Sequence, residues 1–259
     1  GINSVQLYME DVYQLPDEPF FGYARGAYAA DELRRIDDAG HRLGIEVIPC
    51  IQTLGHLEQI LQWPPYQEIA DTSTVLLAED ERSYRLIEKM LDTVSSCFRT
   101  RTVHIGMDEA DGVGLGRYRA IHGEKRPFDV LNTHLRKVTS FCKERGLRPM
   151  MWSDMYFRLG SATHTYYDQE AVTPPEVIRD IPAEVEMVYW DYYHSDAAFY
   201  EEWIDRHRAM GKEPLFAAGA WTWGRHWAAL SHALATNTPG MQAARKKGLR
   251  HTFTTAWGD

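Results

Sequence analysis

The sequence predicts an α/β fold, a (β/α)8 TIM barrel whose first strand lies upstream of Gly1. Short apolar, β-branched runs alternate with longer amphipathic stretches, and this βα unit recurs every roughly 30 to 55 residues, as in such barrels. An open doubly wound sheet is the rival architecture, but no run is followed by a Gly-rich phosphate loop. The seven candidate strands are Val5–Met9, Ile45–Ile51, Thr102–Met107, Arg148–Trp152, Val185–Trp190, Pro214–Ala220 and His251–Trp257.

Helices are predicted between most of these strands, because apolar residues recur there every three or four positions. Three of the four clearest stretches also have a Gly at or near their end, which favours a helix stop. These stretches are Asp31–Leu43, Glu81–Phe98, Phe128–Arg145 and Ala197–Met210, and a further structural helix is predicted near Ala228–Ala244. No repeat or low-complexity linker divides the chain, which predicts one barrel domain over residues 1–259, truncated at both ends.

Composition limits the classes of partner. Hydrophobic residues make up 44% of the 259 residues and charged residues 25%, which is ordinary for a soluble globular protein. The formal net charge of −9 disfavours nucleic acid and acidic membrane surfaces as partners. The chain has no apolar run long enough to span a bilayer. A small-molecule or glycan partner is therefore expected, with no nucleic acid and no membrane.

Cysteine and histidine usage predicts neither a metal nor a cofactor. Cys50, Cys97 and Cys142 have no metal-type spacing, so we interpret them as buried structural thiols. Free thiols favour a reducing compartment and hence a cytoplasmic location. The eleven histidines form no HxH or HExxH pattern, which gives a zinc hydrolase no support.

Acids and tryptophans follow nearly every predicted strand, at the end where barrels place their chemistry. Carboxylates accept hydrogen bonds from sugar hydroxyls, and indole rings stack on the apolar faces of sugars. One acid alone is often a helix N-cap and one Trp is usually core, but seven strand ends with the same pattern favour a sugar site. The residues are Glu10, Asp11, Gln52, His56, Asp108, Glu109, Trp152, Asp154, Trp190, Asp191, Tyr192, Trp221, Trp223, Trp257 and Asp259.

Four motifs, in order, make the chain resemble glycoside hydrolase family 20, the β-N-acetylhexosaminidases. HIGMDE (104–109) is similar to the family's His-x-Gly-Gly-Asp-Glu, and IPCIQTLGH (48–56) to its third-strand motif. Asp11 in YMED and the final Trp257-Gly258-Asp259 match the ends of two further strands. The stretches around these motifs look closest to the intracellular-type members, which act on both gluco- and galacto-configured substrates.

The chain departs from the family pattern in three places. Met107 replaces the second Gly of the acidic motif, and Gln52 replaces an acid that supports the third-strand His in many members. A first-strand Arg that grips the sugar hydroxyls in the family does not occur in this segment. Arg25, in the loop after the barrel's second strand, either touches substrate or ties down that loop, and we expect His104 to pack or hydrogen-bond inside the barrel.

The resemblance implies a mechanism in which the substrate's 2-acetamido oxygen attacks the anomeric carbon. Glu109 is then the general acid and base, Asp108 orients the acetamido group, and His56 and Asp11 form a relay behind Glu109. Tyr192 is the chosen acetamido-binding hydroxyl, with Tyr189 and Tyr193 as open alternatives. The implied substrate-binding residues are Trp152, Trp190 and Trp223 around the acetamido group, Trp257 under the ring, and Asp191 and Asp259 on the hydroxyls.

Other classes explain the sequence less well. DEADG (108–112) is also typical of a solvated loop start. A chitinase of family 18 needs an Asp-x-x-Asp-x-Asp-x-Glu strand, and a metal-dependent amidohydrolase needs an early His-x-His. The chain contains neither. A sugar-binding barrel that has lost catalysis is the remaining alternative.

Overall fold

The computed structural model of the protein describes residues 1–258, which form two compact units. The first unit comprises residues 1–151 and 155–185, and the second comprises residues 152–154 together with the segment from Glu186 onward. Asp259, predicted to bind a sugar hydroxyl, lies outside the described residues.

Four parallel strands with intervening helices make up the first unit. They pair in chain order, with Ser4 opposite Glu46, Cys50 opposite His104, and Thr102 opposite Arg148. Parallel pairing brings the carboxyl ends of these strands to one edge of the sheet. The strands are β1 (Ser4–Glu10), β2 (Glu46–Ile51), β3 (Thr102–His104) and β4 (Arg148–Trp152). The helices are α1 (Ala30–Arg42), α2 (Glu58–Leu61), α3 (Glu81–Cys97), α4 (Arg117–His122), α5 (Pro127–Glu144), α6 (Asp154–Arg158) and α7 (Pro175–Arg179), with a 3₁₀ helix at Pro64–Ile69.

The long helices of this unit begin where the chain supplies the missing hydrogen-bond partners of a first turn. Glu32 accepts the N–H of Ala29 before α1, and Asp80 accepts the N–H of Arg82 at the start of α3. Pro127 occupies the first position of α5, where its missing N–H costs no helical bond. The apolar faces of α3 and α5 are buried, as the periodicity predicts.

The second unit repeats the same βα alternation. Its strands β5 (Glu186–Trp190), β6 (Leu215–Gly219) and β7 (Thr252–Thr255) pair in parallel and in chain order. Helices α8 (Ala197–Ala209) and α9 (Leu230–Lys246) connect them, and Asp196 caps α8 by accepting the N–H of Ala198. The α/β class and the order of parallel strands are therefore confirmed in each unit.

Strand boundaries are mostly as predicted, with one informative error. The sequence predicted a strand from Thr102 to Met107, but β3 ends at His104. Gly106 and Met107 have φ angles of 70° and 73°, which are incompatible with an extended strand. The acids that follow therefore lie on a turn.

Two further expectations concern the cysteines and membrane-spanning segments. Cys50, Cys97 and Cys142 are free and buried, as predicted. Among residues 1–258, no helix has both the length and the apolar character that crossing a membrane would require.

Candidate active site

Asp108 and Glu109 lie on the turn after β3, in a backbone that few residue types tolerate. Met107 and Glu109 have positive φ angles of 73° and 45°. Non-glycine residues adopt such angles at a free-energy cost of about 1–3 kcal/mol, and they concentrate at functional sites. Met107 takes the place of the second Gly in the motif that HIGMDE resembles. The backbone keeps the positive φ that suits glycine, and Met107 adopts it at this cost in free energy.

The side chain of Asp108 is 17% exposed and lies between two nitrogen donors. Gln52 Nε2 donates to its Oδ1 at 2.9 Å, and His56 Nε2 lies 3.2 Å from its Oδ2. Burial alone would raise the pKa of Asp108, but the hydrogen bond and charge of His56, together with Gln52, lower it below its ordinary value. Asp108 is therefore held as a carboxylate.

His56 bridges the two acids. Its Nε2 lies 3.2 Å from Asp108 and 3.5 Å from Glu109 Oε2. Hydrogen bonds to Asp108 and then to Glu109 outweigh burial and raise the pKa of His56 to about 11. His56 itself has a φ of 53°, and a Cβ on the preceding Gly55 would lie 2.4 Å from the carbonyl oxygen of Asp108. The sequence thus allows the imidazole to approach the acids closely.

Glu109 is the more solvated of the two acids, with 41% of its side chain exposed. Besides His56, it faces Arg158, whose Nη1 lies 3.7 Å from Glu109 Oε1. Arg158 also binds Asp111 at 2.8 Å. Sequence analysis missed Arg158, because it follows β4 by six residues within a short helix and belongs to no strand-end motif.

Asp11 and His56, predicted to form a relay, have no direct ion pair within residues 1–258, and the relay stays a prediction. Asp11 Oδ1 lies 3.3 Å from Nε of Arg25, and Nη2 of the same Arg25 donates to Glu10 Oε2 at 3.0 Å. Asp11 is buried and lies against Arg25, a cation of its own loop. Burial raises the pKa values of both Glu10 and Asp11.

His104 is buried, as expected, and its Nδ1 accepts the N–H of Gly106 at 3.0 Å. Burial lowers the pKa of His104 to about 3, so the ring is neutral at physiological pH. His104 supports the turn and carries no charge into the cluster.

In the second unit, three predicted residues form one aromatic cluster. Tyr192 packs 5.3 Å from Trp190 and 5.4 Å from Trp223, measured between ring centroids. Trp221, which has a φ of 54°, stacks on Trp223 at 4.8 Å and donates from Nε1 to the carbonyl of Tyr192. A Cβ on Gly219 would lie 2.8 Å from both Tyr192 and Trp223, so only glycine leaves room for these rings.

Trp152 and Trp257 form a second aromatic pair in this unit. Their ring centroids are 6.1 Å apart, and Trp152 also packs against Phe253 of β7. Trp152 is almost fully buried, whereas Trp257 is partly exposed. Thr222 donates to the carbonyl of Trp257 at 2.7 Å, which ties the segment after β7 to the loop after β6.

Asp191, predicted to bind a sugar hydroxyl, is enclosed by donors of its own loop. Its side chain is 0% exposed and accepts hydrogen bonds from the hydroxyl of Tyr189 at 2.9 Å and the N–H of Tyr193 at 3.0 Å. The ring Nδ1 and backbone N–H of His194 complete this set. A carboxylate enclosed in this way organises the loop after β5, and its contact with sugar hydroxyls stays a prediction. The Tyr189 hydroxyl is likewise engaged by Asp191, which favours Tyr192 or Tyr193 over Tyr189.

Comparisons with known proteins identify relatives of this chain. The family described as "Glycosyl hydrolase family 20, catalytic domain" matches residues 9–173. Human Hexosaminidase D is 28% identical over 85% of this chain and 45% of its own length, and bovine Hexosaminidase D is 26% identical over 85% and 63%. The chain thus spans about half to two thirds of the length of these curated relatives.

Solved structures resemble the fold. A beta-N-acetylhexosaminidase crystal structure aligns with a TM-score of 0.66 at 14% identity, covering 98% of this chain and 59% of its own. The beta-N-acetylhexosaminidase of Bacteroides fragilis aligns with a TM-score of 0.60 at 18% identity, covering 85% and 44%. At these identities the likeness concerns the fold alone.

Proposed function

The chain belongs to glycoside hydrolase family 20, and from this premise we propose that it acts as a retaining β-N-acetylhexosaminidase. The proposed substrates are glycans or small glycosides with a terminal, non-reducing N-acetylglucosamine or N-acetylgalactosamine. The proposed reaction is substrate-assisted hydrolysis through an oxazolinium intermediate on the (β/α)8 barrel, without a cofactor. The hexosaminidase names of the two mammalian relatives support this choice of substrate.

One observation carries the proposal: two adjacent acids share His56 yet lie in different environments. Asp108 is largely enclosed by donors, whereas Glu109 is open to solvent on one side. Most retaining glycosidases instead place two carboxyls across the scissile bond, about 5 Å apart, with one as nucleophile. When the acetamido oxygen is the nucleophile, one acid exchanges protons with the leaving oxygen and the other needs only to remain charged.

In the proposed mechanism, Asp108 accepts the acetamido N–H and stabilises the positive charge that develops as the ring closes. Glu109 protonates the leaving oxygen and then removes a proton from the attacking water. Tyr192 donates its hydroxyl to the acetamido oxygen, with Tyr193 as the alternative donor. Trp152, Trp190 and Trp223 surround the acetamido methyl and Trp257 stacks on the pyranose, while Asp259 binds a hydroxyl.

The test is a comparison of three p-nitrophenyl glycosides: the N-acetyl-β-glucosaminide, the N-acetyl-β-galactosaminide and the plain β-glucoside. We expect hydrolysis of the two acetamido sugars and none of the glucoside, because only the former carry the nucleophile. Equal cleavage of the glucoside would contradict substrate assistance. Binding of N-acetylglucosamine-thiazoline, a mimic of the intermediate, without hydrolysis of any substrate would favour a sugar-binding protein.

A further inference from the structure

Gln52 lies beneath Asp108 with every polar atom of its amide engaged. The residue is fully buried at the end of β2. Nε2 donates to Asp108 Oδ1 at 2.9 Å and to the hydroxyl of Tyr8 at 3.3 Å, and Oε1 accepts the N–H of Met107 at 3.2 Å. Because a buried amide left without partners costs about 1–3 kcal/mol per group, this set strongly favours one orientation of the side chain.

The contact with Met107 determines which way the amide faces. A backbone N–H can only donate, so the oxygen of Gln52 must face Met107, and the NH2 group must therefore face Asp108. An NH2 group can only donate, so Asp108 Oδ1 must accept. His56 Nε2 lies at the other oxygen, Oδ2. Because His56 is protonated, Asp108 lies between two donors, the arrangement that an ionised carboxylate accepts.

Neighbouring residues hold Gln52 in this position. A Cβ on Gly106 would lie 2.0 Å from Gln52 Oε1, so glycine is required there. The Tyr8 hydroxyl that accepts from Gln52 donates in turn to Glu10 Oε1 at 3.1 Å. Arg25 donates to the other oxygen of Glu10 at 3.0 Å. A continuous chain of hydrogen bonds therefore runs from Arg25, in the loop after β1, to Asp108.

We propose that Gln52 is a positioning residue of the reaction, which holds Asp108 as an oriented, ionised acceptor for the acetamido N–H. The inference rests on the proposed function, but its electrostatic part is testable without turnover. A carboxylate at position 52 would compete with Asp108 for protons, because like charges in contact raise the pKa of one partner. The amide in this chain avoids that competition.

Other titratable groups act on Asp108 and are common to the variants below. They come from each strand of the first unit that packs near the turn. His56 contacts Asp108 directly, and Glu109 contacts His56. Tyr8 from β1, Cys50 from β2 and His104 from β3 interact with the charge of Asp108. A substitution confined to position 52 therefore leaves these other titratable groups the same in every variant.

The first measurement is a ¹³C-carboxyl NMR titration of the protein, with the Asp108 resonance assigned by its loss in Asp108→Asn. We expect Asp108 to titrate below the ordinary range of aspartate in the wild type and at least about one pH unit higher in Gln52→Glu. Gln62→Glu adds the same charge at an exposed glutamine and is the matched control, which should leave the Asp108 titration unchanged. Equal midpoints in wild type and Gln52→Glu would overturn the inference.

The second measurement is the pH profile of kcat/KM on p-nitrophenyl N-acetyl-β-glucosaminide. In Gln52→Glu the acidic limb should move to higher pH, and kcat should fall roughly 10- to 100-fold, the worth of one hydrogen bond to a charged group. Gln52→Met removes the donor without adding charge and should lower kcat with a smaller movement of the limb. It also serves if Gln52→Glu fails to fold.

The outcomes separate this inference from the proposed function. If the wild type is active and the acidic limb of its pH profile is unchanged in Gln52→Glu and Gln52→Met, the role of Gln52 is refuted and the proposed function is not. A wild type that cleaves none of the acetamido substrates refutes the proposed function. The NMR titration then still decides whether Gln52 holds Asp108 ionised.

Discussion

The two units hold their predicted site residues by different physical means. In the first unit, His56, Asp108 and Glu109 are joined by charged hydrogen bonds on a backbone with positive φ angles at His56 and Glu109. In the second unit, the rings around Tyr192 pack against one another over a glycine that gives them room.

This difference teaches what each region is sensitive to. Charge–charge contacts depend on protonation, so changes near Asp108 should alter rates and pH dependence. Ring packing depends on shape, so changes near Tyr192 should alter stability and substrate affinity. Substitutions in the two regions should therefore give distinguishable results.

The largest expected effect is at the acid pair. Glu109→Gln should lower kcat on the p-nitrophenyl acetamido substrates by roughly 10²–10⁴-fold, the usual worth of general acid–base catalysis. The loss should shrink for a dinitrophenyl leaving group, which needs less protonation to depart. Glu124→Gln, at an exposed acid of the same unit that pairs with Arg119, is the control. A kcat within twofold of wild type for Glu109→Gln would remove Glu109 from the mechanism.

A second substitution tests whether Asp191 organises its own loop. Asp191→Ala leaves the hydroxyl of Tyr189 and the donors of Tyr193 and His194 without their buried acceptor. We expect the free energy of unfolding to fall on the order of 2–4 kcal/mol in urea melts, with KM of the folded enzyme little changed. Glu186→Gln, on an exposed acid at the start of β5, should unfold like the wild type. Normal stability with a raised KM would favour the sugar-hydroxyl role.

The smallest predicted effect concerns pH and His56. Its folded-state pKa of about 11 lies above its ordinary value of 6.5, so the stabilisation is complete below pH 6.5 and is lost as the pH rises towards 11. The Tm advantage of wild type over His56→Gln should therefore be largest near about pH 6 and should shrink towards about pH 10. His41→Gln, at an exposed histidine of α1, should show no such trend. A constant Tm difference would mean that His56 is not held protonated by the acids.

Much of the local structure was predictable because its causes are local. Periodicity and capping residues predicted α3 and α5 to within one residue at each end, and β4 was predicted correctly. The end of β3 was not, because Met107 looks like a strand residue but adopts a positive φ and donates its N–H to Gln52 after β2, a partner far away in sequence.

The sequence by itself determined the alternation of strands and helices, the acid pair and the aromatic residues, because these follow from residue types and their spacing. Only the tertiary structure decided which partner each acid has. Asp11 lies against Arg25, Asp191 is enclosed by its own loop, and Gln52 reaches Asp108 across 56 positions of the chain. Such choices depend on distances of a few ångströms between residues far apart in sequence, where burial and charge decide the outcome.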